Sequence, residues 1–295
     1  QSGLADTNIV SGWGGRMADL VMDTDTSLPL SFSLGGTNLF QRGRIAQQYA
    51  MNKDGVEQFG ALNPEHSWND TRIAHYLRVL EAADDPFTRT YAQKLKNVRT
   101  NNTLLNSGLS SVANTDIDYR EAGDLGDQLK MIARMIEAQA SLNQPRQIFF
   151  ASLGGFDTHD DQAYLLPRLQ QTLSHALAGF DADLQARGIA QNVVTFTQSE
   201  FGRTLTSNGD GTDHGWAGHQ IIMGDAIDGG RIFGHMPEQV INTVDDFGDG
   251  RMIPTTSIDQ FGAQIAQWFG LGTSEINDVF PNLNRFGAAD FSLFR

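Results

Sequence analysis

A strand, a long helix and a second strand follow one another between residues 147 and 197, and this unit constrains the fold more than any other stretch. Residues 147–153 form a short apolar run that ends at two glycines, a pattern typical of a buried strand in a parallel sheet. Leucines then recur at helical spacing, and residues 193–197 form the next strand. A crossover of this length makes the two strands parallel, so we predict that they are close neighbours in one sheet.

Three turns in and after this unit carry acids and histidines. They are residues 154–162 (GGFDTHDDQ), 199–204 (SEFGRT) and 211–219 (GTDHGWAGH). The first two turns follow parallel strands and should open on the same edge of the sheet, where α/β proteins place their ligands. We therefore expect Asp157, His159 and Glu200 to converge in space.

These side chains are suited to holding a divalent metal ion. Carboxylates and neutral imidazoles bind the ions that hydrolyse esters, and the sequence has no cysteine to offer instead. The predicted metal ligands are Asp157, His159, Glu200, Asp213, His214 and His219. Arg203 is the best candidate for binding an anion, because its forked guanidinium matches phosphate or sulfate. Thr158 carries the only hydroxyl beside the ligands and is the second catalytic candidate.

Each of these residues also has a structural explanation. Asp157, Thr158 or Asp160 could cap the helix that follows, and Glu200 could pair with Arg203. His214 and His219 could be ordinary, partly buried histidines. The conjunction of acids and histidines after both strands, with an Asp-His pair before a third apolar segment (220–223), favours a functional site. We assign structural roles to the remaining histidines, His66, His75, His175 and His235.

Composition excludes several classes of function. Acidic residues outnumber basic ones by 35 to 21, and the net charge of −14 argues against binding to nucleic-acid phosphates or anionic lipid. No apolar run approaches the roughly 20 residues of a membrane helix. The absence of cysteine fits an exported protein. Because the sequence begins at Gln1, we expect that a leader or longer segment has been removed.

The rest of the chain is predicted from apolar spacing and breakers. A strand is expected at 30–34, a hairpin-like segment at 228–234, and loop or a frayed helix end at 101–118. Helices are expected at 13–22, at 70–97 as two helices broken at 84–86, around 125–136 and at 258–269.

The three turns, in this order and spacing, resemble the bacterial family catalogued as domain of unknown function 1501. The similarity continues in four other blocks and covers essentially the whole chain. These blocks are SGWGGRMADL (11–20), GGRIFG (229–234), RMIPTTSIDQFGAQIAQWFG (251–270) and VFPNL (279–283). Members of the family look like relatives of the alkaline phosphatase, sulfatase and cofactor-independent phosphoglycerate mutase superfamily, and are typically exported with a twin-arginine leader.

The resemblance implies an α/β fold: a three-layer α/β/α sandwich with a mostly parallel central sheet, alkaline phosphatase-like, plus a helical insertion at about 66–120. Residues 1–295 would form a single domain that is incomplete at its N-terminus. Family members carry a preceding strand that ends in a Gly-Gly-x-Asp turn, so we expect the missing N-terminal segment, or a partner chain, to complete the sheet.

The resemblance also implies a metal centre with one or two divalent ions, namely zinc, manganese, calcium or iron. Asp157 and His159 resemble one ligand pair, Glu200 the acid after the next strand, and His214 the late histidine. Two departures stand out. The superfamily has an Asp-His pair where this chain has Ser199-Glu200-Phe201, and its first pair is spaced differently.

Two functions follow as expectations. The first is an exported metal-dependent hydrolase, periplasmic, cell-surface or extracellular, that acts on small anionic phosphate or sulfate esters. The second is a non-catalytic envelope or assembly protein that keeps the fold with a degraded site. The Asp-His pairs favour the enzyme, whereas Glu200 and the missing segment favour the second function. A homo-oligomer is left open.

Overall fold

The computed structural model describes residues 10–22, 28–56 and 67–295, which form a mixed α/β protein. No helix within these ranges is long and apolar enough to cross a membrane. The helices are α1 (Trp13–Val21), α2 (Ser67–Glu81), α3 (Pro86–Ser110), α4 (Gly123–Glu137), α5 (Gln162–Ala186), α6 (Ile258–Trp268) and α7 (Thr273–Val279). The strands are β1 (Ser31–Ser33), β2 (Gln48–Ala50), β3 (Ile148–Phe150), β4 (Thr195–Phe196), β5 (Gly202–Ser207), β6 (Thr212–Gly215) and β7 (Ile222–Met223).

Helix starts follow the capping signals of the sequence. Ser257 caps α6 by accepting a hydrogen bond from the backbone of Gln260, whose side chain bonds back to Ser257. Asp85 caps α3, because its side chain accepts a hydrogen bond from the backbone nitrogen of Thr88. Pro86 occupies the first helical position. Such caps contribute about 1 kcal/mol each, and the predicted break at 84–86 is confirmed.

The parallel sheet has three strands in the order β2-β1-β3. Ser31 lies opposite Gln48 on one side and Ile148 on the other. β4 pairs with β7 in an antiparallel ribbon, and β5 pairs with β6 in an antiparallel hairpin. The hairpin carries Arg203 and His214 of the candidate site.

Two apolar cores lie on opposite faces of the parallel sheet. Side chains alternate along β3, so that Phe149 packs with one core while Ile148 and Phe150 pack with the other. The first core is built mainly from α3, α4 and α5, and the second from α1, α6 and α7. Helices therefore cover both faces of the sheet, as parallel strands require.

β3 and β4 were predicted to be parallel neighbours in one sheet, and the structure places them in different sheets. β3 pairs with β1 and β4 with β7, and the two strands are shorter than the apolar runs that predicted them. They still lie near each other, because the ring of Phe40 contacts Phe150 of β3 at 6.5 Å and Phe196 of β4 at 6.2 Å between centroids. Proximity was thus predictable from the crossover, whereas the hydrogen-bond partners were not.

Two local predictions need correction. Residues 101–110, expected to be loop or a frayed helix end, are a regular part of α3, because Leu105 and Leu109 are buried in the first core and hold the helix against it. Residues 228–234, expected to be hairpin-like, are all described and contain no strand. α2 begins at Ser67 and packs on α3 through a small apolar cluster of Ile73, Leu77 and Leu95. The helical insertion at about 66–120 stays a prediction.

Candidate metal centre

The site is organised by the β5–β6 hairpin, which the sequence analysis did not predict. Its turn contains Asn208 and Gly209, and Gly209 adopts a φ of 120°, which side-chain-bearing residues rarely do. The Asn208 side-chain oxygen accepts a hydrogen bond from the backbone of Gly211 at 2.8 Å and closes the turn. An Asn-Gly pair between two polar strands is a hairpin signal, so this element could have been found from the sequence.

The hairpin docks directly on the loop after β3. A Cβ on Gly211 would lie 2.4 Å from the carbonyl oxygens of both Thr158 and His159, so only glycine allows this approach. The side-chain nitrogen of Gln162 donates to the hydroxyls of Thr158 and Thr212, each at 2.9 Å, and joins the loop to β6. This contact brings residues that are about fifty positions apart in the sequence together in one site.

Three predicted ligands converge there. Asp157 Oδ1 lies 3.0 Å from His159 Nε2 and 2.9 Å from His214 Nε2. One donor atom from each of these residues lies within 4.8 Å of the others. The side chains are 42–52% exposed, so the group faces solvent on one side.

Arg203 holds the carboxylate of this group. Its Nη1 donates to Asp157 Oδ1 at 2.7 Å, Nε donates to Thr212 Oγ1 at 3.0 Å, and Nη2 donates to the Thr212 carbonyl oxygen. The hydrogen bond from Arg203 is the largest of the effects that hold the pKa of Asp157 below its usual value, and the bond from His214 adds to it. Asp157 is therefore a carboxylate at neutral pH.

Both imidazoles are supported from outside the group. The ring of Phe201 stacks on His214 with centroids 4.0 Å apart and planes 9° apart. His159 Nδ1 lies 3.2 Å from Asp213 Oδ1, on the opposite side of the ring from Asp157. Phe201 and Asp213 thus limit the orientations of the two rings.

The structure separates the remaining predicted site residues from this group. Glu200 is exposed and is not one of the three converging donors, and His219 Nε2 lies 3.0 Å from the Met236 sulfur. Asp213 contacts the far nitrogen of His159 rather than the centre of the group. Thr158 is only 2% exposed and its hydroxyl accepts from Gln162, so it is poorly placed as a nucleophile.

The other histidines have polar neighbours elsewhere. His75 contacts Arg78, His175 lies 2.8 Å from Glu121, and His235 lies 3.3 Å from Asp290. His66 lies outside the described residues. Sequence reasoning missed Asn208, Phe201 and Gln162, because amides and phenylalanines carry no metal-ligand signal of their own.

The comparisons with known proteins agree with the resemblance seen in the sequence. No curated protein and no solved structure matches the chain. The family described as "Protein of unknown function (DUF1501)" matches residues 2–279 of the 295. This match spans nearly the whole chain, including all three turns, and the protein therefore belongs to the DUF1501 family.

Proposed function

We propose that this protein is a metal-dependent hydrolase whose centre is formed by Asp157, His159 and His214. The observation that carries the proposal is the convergence of one carboxylate and two imidazoles within 4.8 Å on an exposed surface. Catalytic zinc sites commonly have three protein ligands and an open position, whereas structural sites are closed by four. Three partly exposed donors match the catalytic pattern.

The residues fit a divalent ion. A tetrahedral ion with bonds of about 2.0–2.1 Å separates neighbouring donors by roughly 3.3 Å, close to the 2.9 and 3.0 Å found here. Two imidazoles suit zinc, iron or manganese better than calcium, which prefers oxygen ligands. In the part of the chain that the structure describes, these three residues are the only such group, which favours one ion rather than two.

The chain's own residues have separate tasks in this proposal. In such a centre a divalent ion supplies Lewis acidity towards an ester oxygen and activates water. Asp157, His159 and His214 would hold the ion, and Arg203 keeps Asp157 ionised and fixed. The exposed side of the group leaves room for a substrate.

The substrate class rests on the resemblance rather than on the site. A small phosphate or sulfate ester is expected from the alkaline phosphatase-like superfamily, as is a three-layer α/β/α sandwich with a larger parallel sheet. Helices on both faces of the β2-β1-β3 sheet support that architecture. Export to the periplasm, the cell surface or the medium is part of the same proposal.

An edge of the described sheet without a paired strand also supports the expectation that a partner segment completes the sheet. Among the described residues, β3 pairs with β1 on one edge, and no strand pairs with its other edge. β4 lies near β3 but does not pair with it. Gln147 and Gln198, which flank these strands, each have a buried side-chain nitrogen without a partner in the described structure. We propose that a strand from a preceding segment or a partner chain adds at this edge. Hydrogen exchange at residues 148–157 should slow when a strand is added at this edge, and unchanged exchange would argue against the proposal.

One observation favours the second candidate, a protein that keeps the site without turnover. All three guanidinium nitrogens of Arg203 bond to Asp157 or Thr212, so the predicted anion-binding residue is already engaged. An enzyme would need Arg203 to exchange partners, or another group to bind the anion. A binding or assembly protein needs neither.

Elemental analysis and ester hydrolysis test these alternatives together. Natively purified protein should contain about one equivalent of zinc, manganese or iron, and the variant Asp157→Ala/His214→Ala should contain none. The matched control is His235→Ala/Asp290→Ala, which removes another exposed His-Asp pair and should keep the metal. Stoichiometric metal in the first variant would overturn the site. Metal without hydrolysis of phosphate or sulfate esters would favour the non-catalytic candidate.

A further inference from the structure

The two ring nitrogens of His159 face two different carboxylates. Nε2 lies 3.0 Å from Asp157 Oδ1 and Nδ1 lies 3.2 Å from Asp213 Oδ1. In a neutral imidazole one nitrogen carries the proton and the other accepts or ligates. Which carboxylate receives the proton therefore decides which nitrogen is free to bind a metal ion.

Asp157 already has other donors, whereas Asp213 faces the ring from outside the metal group. Asp157 Oδ1 accepts from Arg203 Nη1 at 2.7 Å and lies 2.9 Å from His214 Nε2, so His159 is not its only available donor. Asp213 is not one of the three donors that lie within 4.8 Å of one another. A proton on Nδ1 that is donated to Asp213 leaves Nε2 directed at the metal group.

The hairpin turn holds Asp213 in this position. Asn208 Nδ2 donates to the His159 carbonyl oxygen at 3.0 Å and lies 3.4 Å from Asp213 Oδ1. The backbone nitrogen of Asp213 donates to Thr204 Oγ1 at 3.1 Å. Asn208 therefore joins the backbone of His159 to the carboxylate that contacts its ring, and the whole turn acts as one support.

We propose that Asp213 is a positioning residue rather than a metal ligand, and that with Asn208 it holds His159 as the Nδ1–H tautomer with Nε2 directed at the metal. The inference rests on the proposed metal centre for its function. Carboxylates that accept from the second nitrogen of a ligating histidine fix its tautomer and orientation, and their loss typically lowers metal affinity 10- to 100-fold.

The first test is metal affinity, measured by competition with a chromogenic chelator for Zn²⁺ and Co²⁺. Asp213→Ala should weaken binding about 10- to 100-fold while stoichiometry and the Co²⁺ absorption spectrum stay unchanged. Asn208→Ala should weaken it by a smaller factor. The control is Asp210→Asn, which removes a charge from the same exposed turn and should leave affinity close to wild type. Loss of stoichiometric binding or a changed Co²⁺ spectrum in Asp213→Ala would instead make Asp213 a ligand.

The second test needs no metal and separates this inference from the proposed function. Two-bond ¹H–¹⁵N correlation spectra of histidine-labelled, metal-free protein at about pH 9, where an unperturbed imidazole is neutral, report the tautomer of each ring. His159, assigned with His159→Gln, should have a larger Nδ1–H fraction in the wild type than in Asp213→Ala, because Asp213 competes with Asp157 for the ring proton. Equal fractions in the two proteins would overturn the inference. A wild type that binds no metal but has the larger Nδ1–H fraction would overturn only the proposed function.

Discussion

Two aspartate–arginine pairs in this protein share their chemistry and differ in their surroundings. Asp183 and Arg187 lie at the end of α5, with side chains 0% and 3% exposed. Asp157 and Arg203 come from the loop after β3 and from β5, with side chains 52% and 19% exposed. The first pair connects elements of the larger core, and the second belongs to the candidate metal centre.

The buried pair has several polar partners among the described residues. Asp183 accepts from Thr115 Oγ1 at 2.7 Å, from Arg187 Nε at 2.9 Å and from the Tyr119 hydroxyl at 3.2 Å. Arg187 also donates to Glu137 of α4. Such a network is costly to break, because the remaining charge stays buried without its partner.

The half-exposed carboxylate of the second pair can lose a partner at little cost to the fold. Solvent compensates a carboxylate that loses a bond at the surface, so exposed ion pairs contribute little to stability. Asp157 is shared by Arg203 and two histidines, an arrangement that suits ligand exchange rather than rigidity. Burial, rather than residue type, therefore separates the pair that stabilises the fold from the pair that suits binding.

The largest expected effect comes from breaking the buried pair. Asp183→Ala should lower the free energy of unfolding by about 3–5 kcal/mol, since Arg187 keeps its charge in a buried position. Urea denaturation followed by circular dichroism measures the loss. Asp157→Ala should leave the unfolding midpoint close to wild type. Equal losses in the two variants would remove the distinction between the pairs.

Metal addition should raise the free energy of unfolding only through the site that contains the exposed pair. Zinc at about 100 times its dissociation constant should raise the free energy of unfolding of the wild type by about 2.7 kcal/mol, because only the folded state has the assembled site. Thermal unfolding with and without zinc checks this. Asp157→Ala/His214→Ala should show no increase, and an increase as large as in wild type would place the metal elsewhere.

Tyr119 should make the buried network sensitive to alkaline pH. Burial, reinforced by the charge of Asp183, raises the pKa of Tyr119 above its usual value of 10.0. The unfolded chain therefore loses this proton first, so the network's contribution is complete below pH 10 and falls as the pH rises further.

Tyr119→Phe isolates that effect. The variant should be about 1–3 kcal/mol less stable at neutral pH, since Asp183 loses a buried partner. It should also lose less stability than wild type above pH 10, as measured by urea denaturation across the alkaline range. Parallel pH curves for the two proteins would contradict the assignment.

The smallest effect is expected from the aromatic support of the metal centre. Phe201→Leu keeps an apolar side chain and removes the stack on His214, which is worth about 0.5–1.5 kcal/mol for aromatic pairs. Metal affinity should fall about 2- to 12-fold, with unfolding in the absence of metal little changed. Chelator competition measures the change, and unaltered affinity would show that the stack does not orient His214.

Much of the helical structure and the three residues that converge in the candidate site were accessible from the sequence. Apolar spacing and capping residues located α1, α4 and α6, and the acid-histidine turns identified Asp157, His159 and His214. These signals are local, because helix periodicity and ligand chemistry are properties of short segments. The length of α3 was missed because Leu105 and Leu109 extend it through contacts with distant residues.

The site was predictable in its ingredients but not in its geometry. The sequence predicted both Glu200 and His214 as ligands. The hairpin register places His214 opposite Arg203, and of the two residues only His214 joins Asp157 in the candidate centre. Arg203 was expected to bind an anion or Glu200, and the structure shows it bonded to Asp157. Strand pairing involves segments far apart in the chain, so its register leaves little trace in local composition.

Residue identity and short-range spacing were enough to identify the family, most of the helices and the lack of cysteine ligands in this chain. Which carboxylate meets which imidazole depends on tertiary packing. The reason is physical: donor atoms must approach within a few ångströms, and that approach depends on Gly211 resting on the backbone of the loop after β3. Burial likewise separates Asp183, which lies in a buried network, from Asp157, which lies in the exposed candidate site.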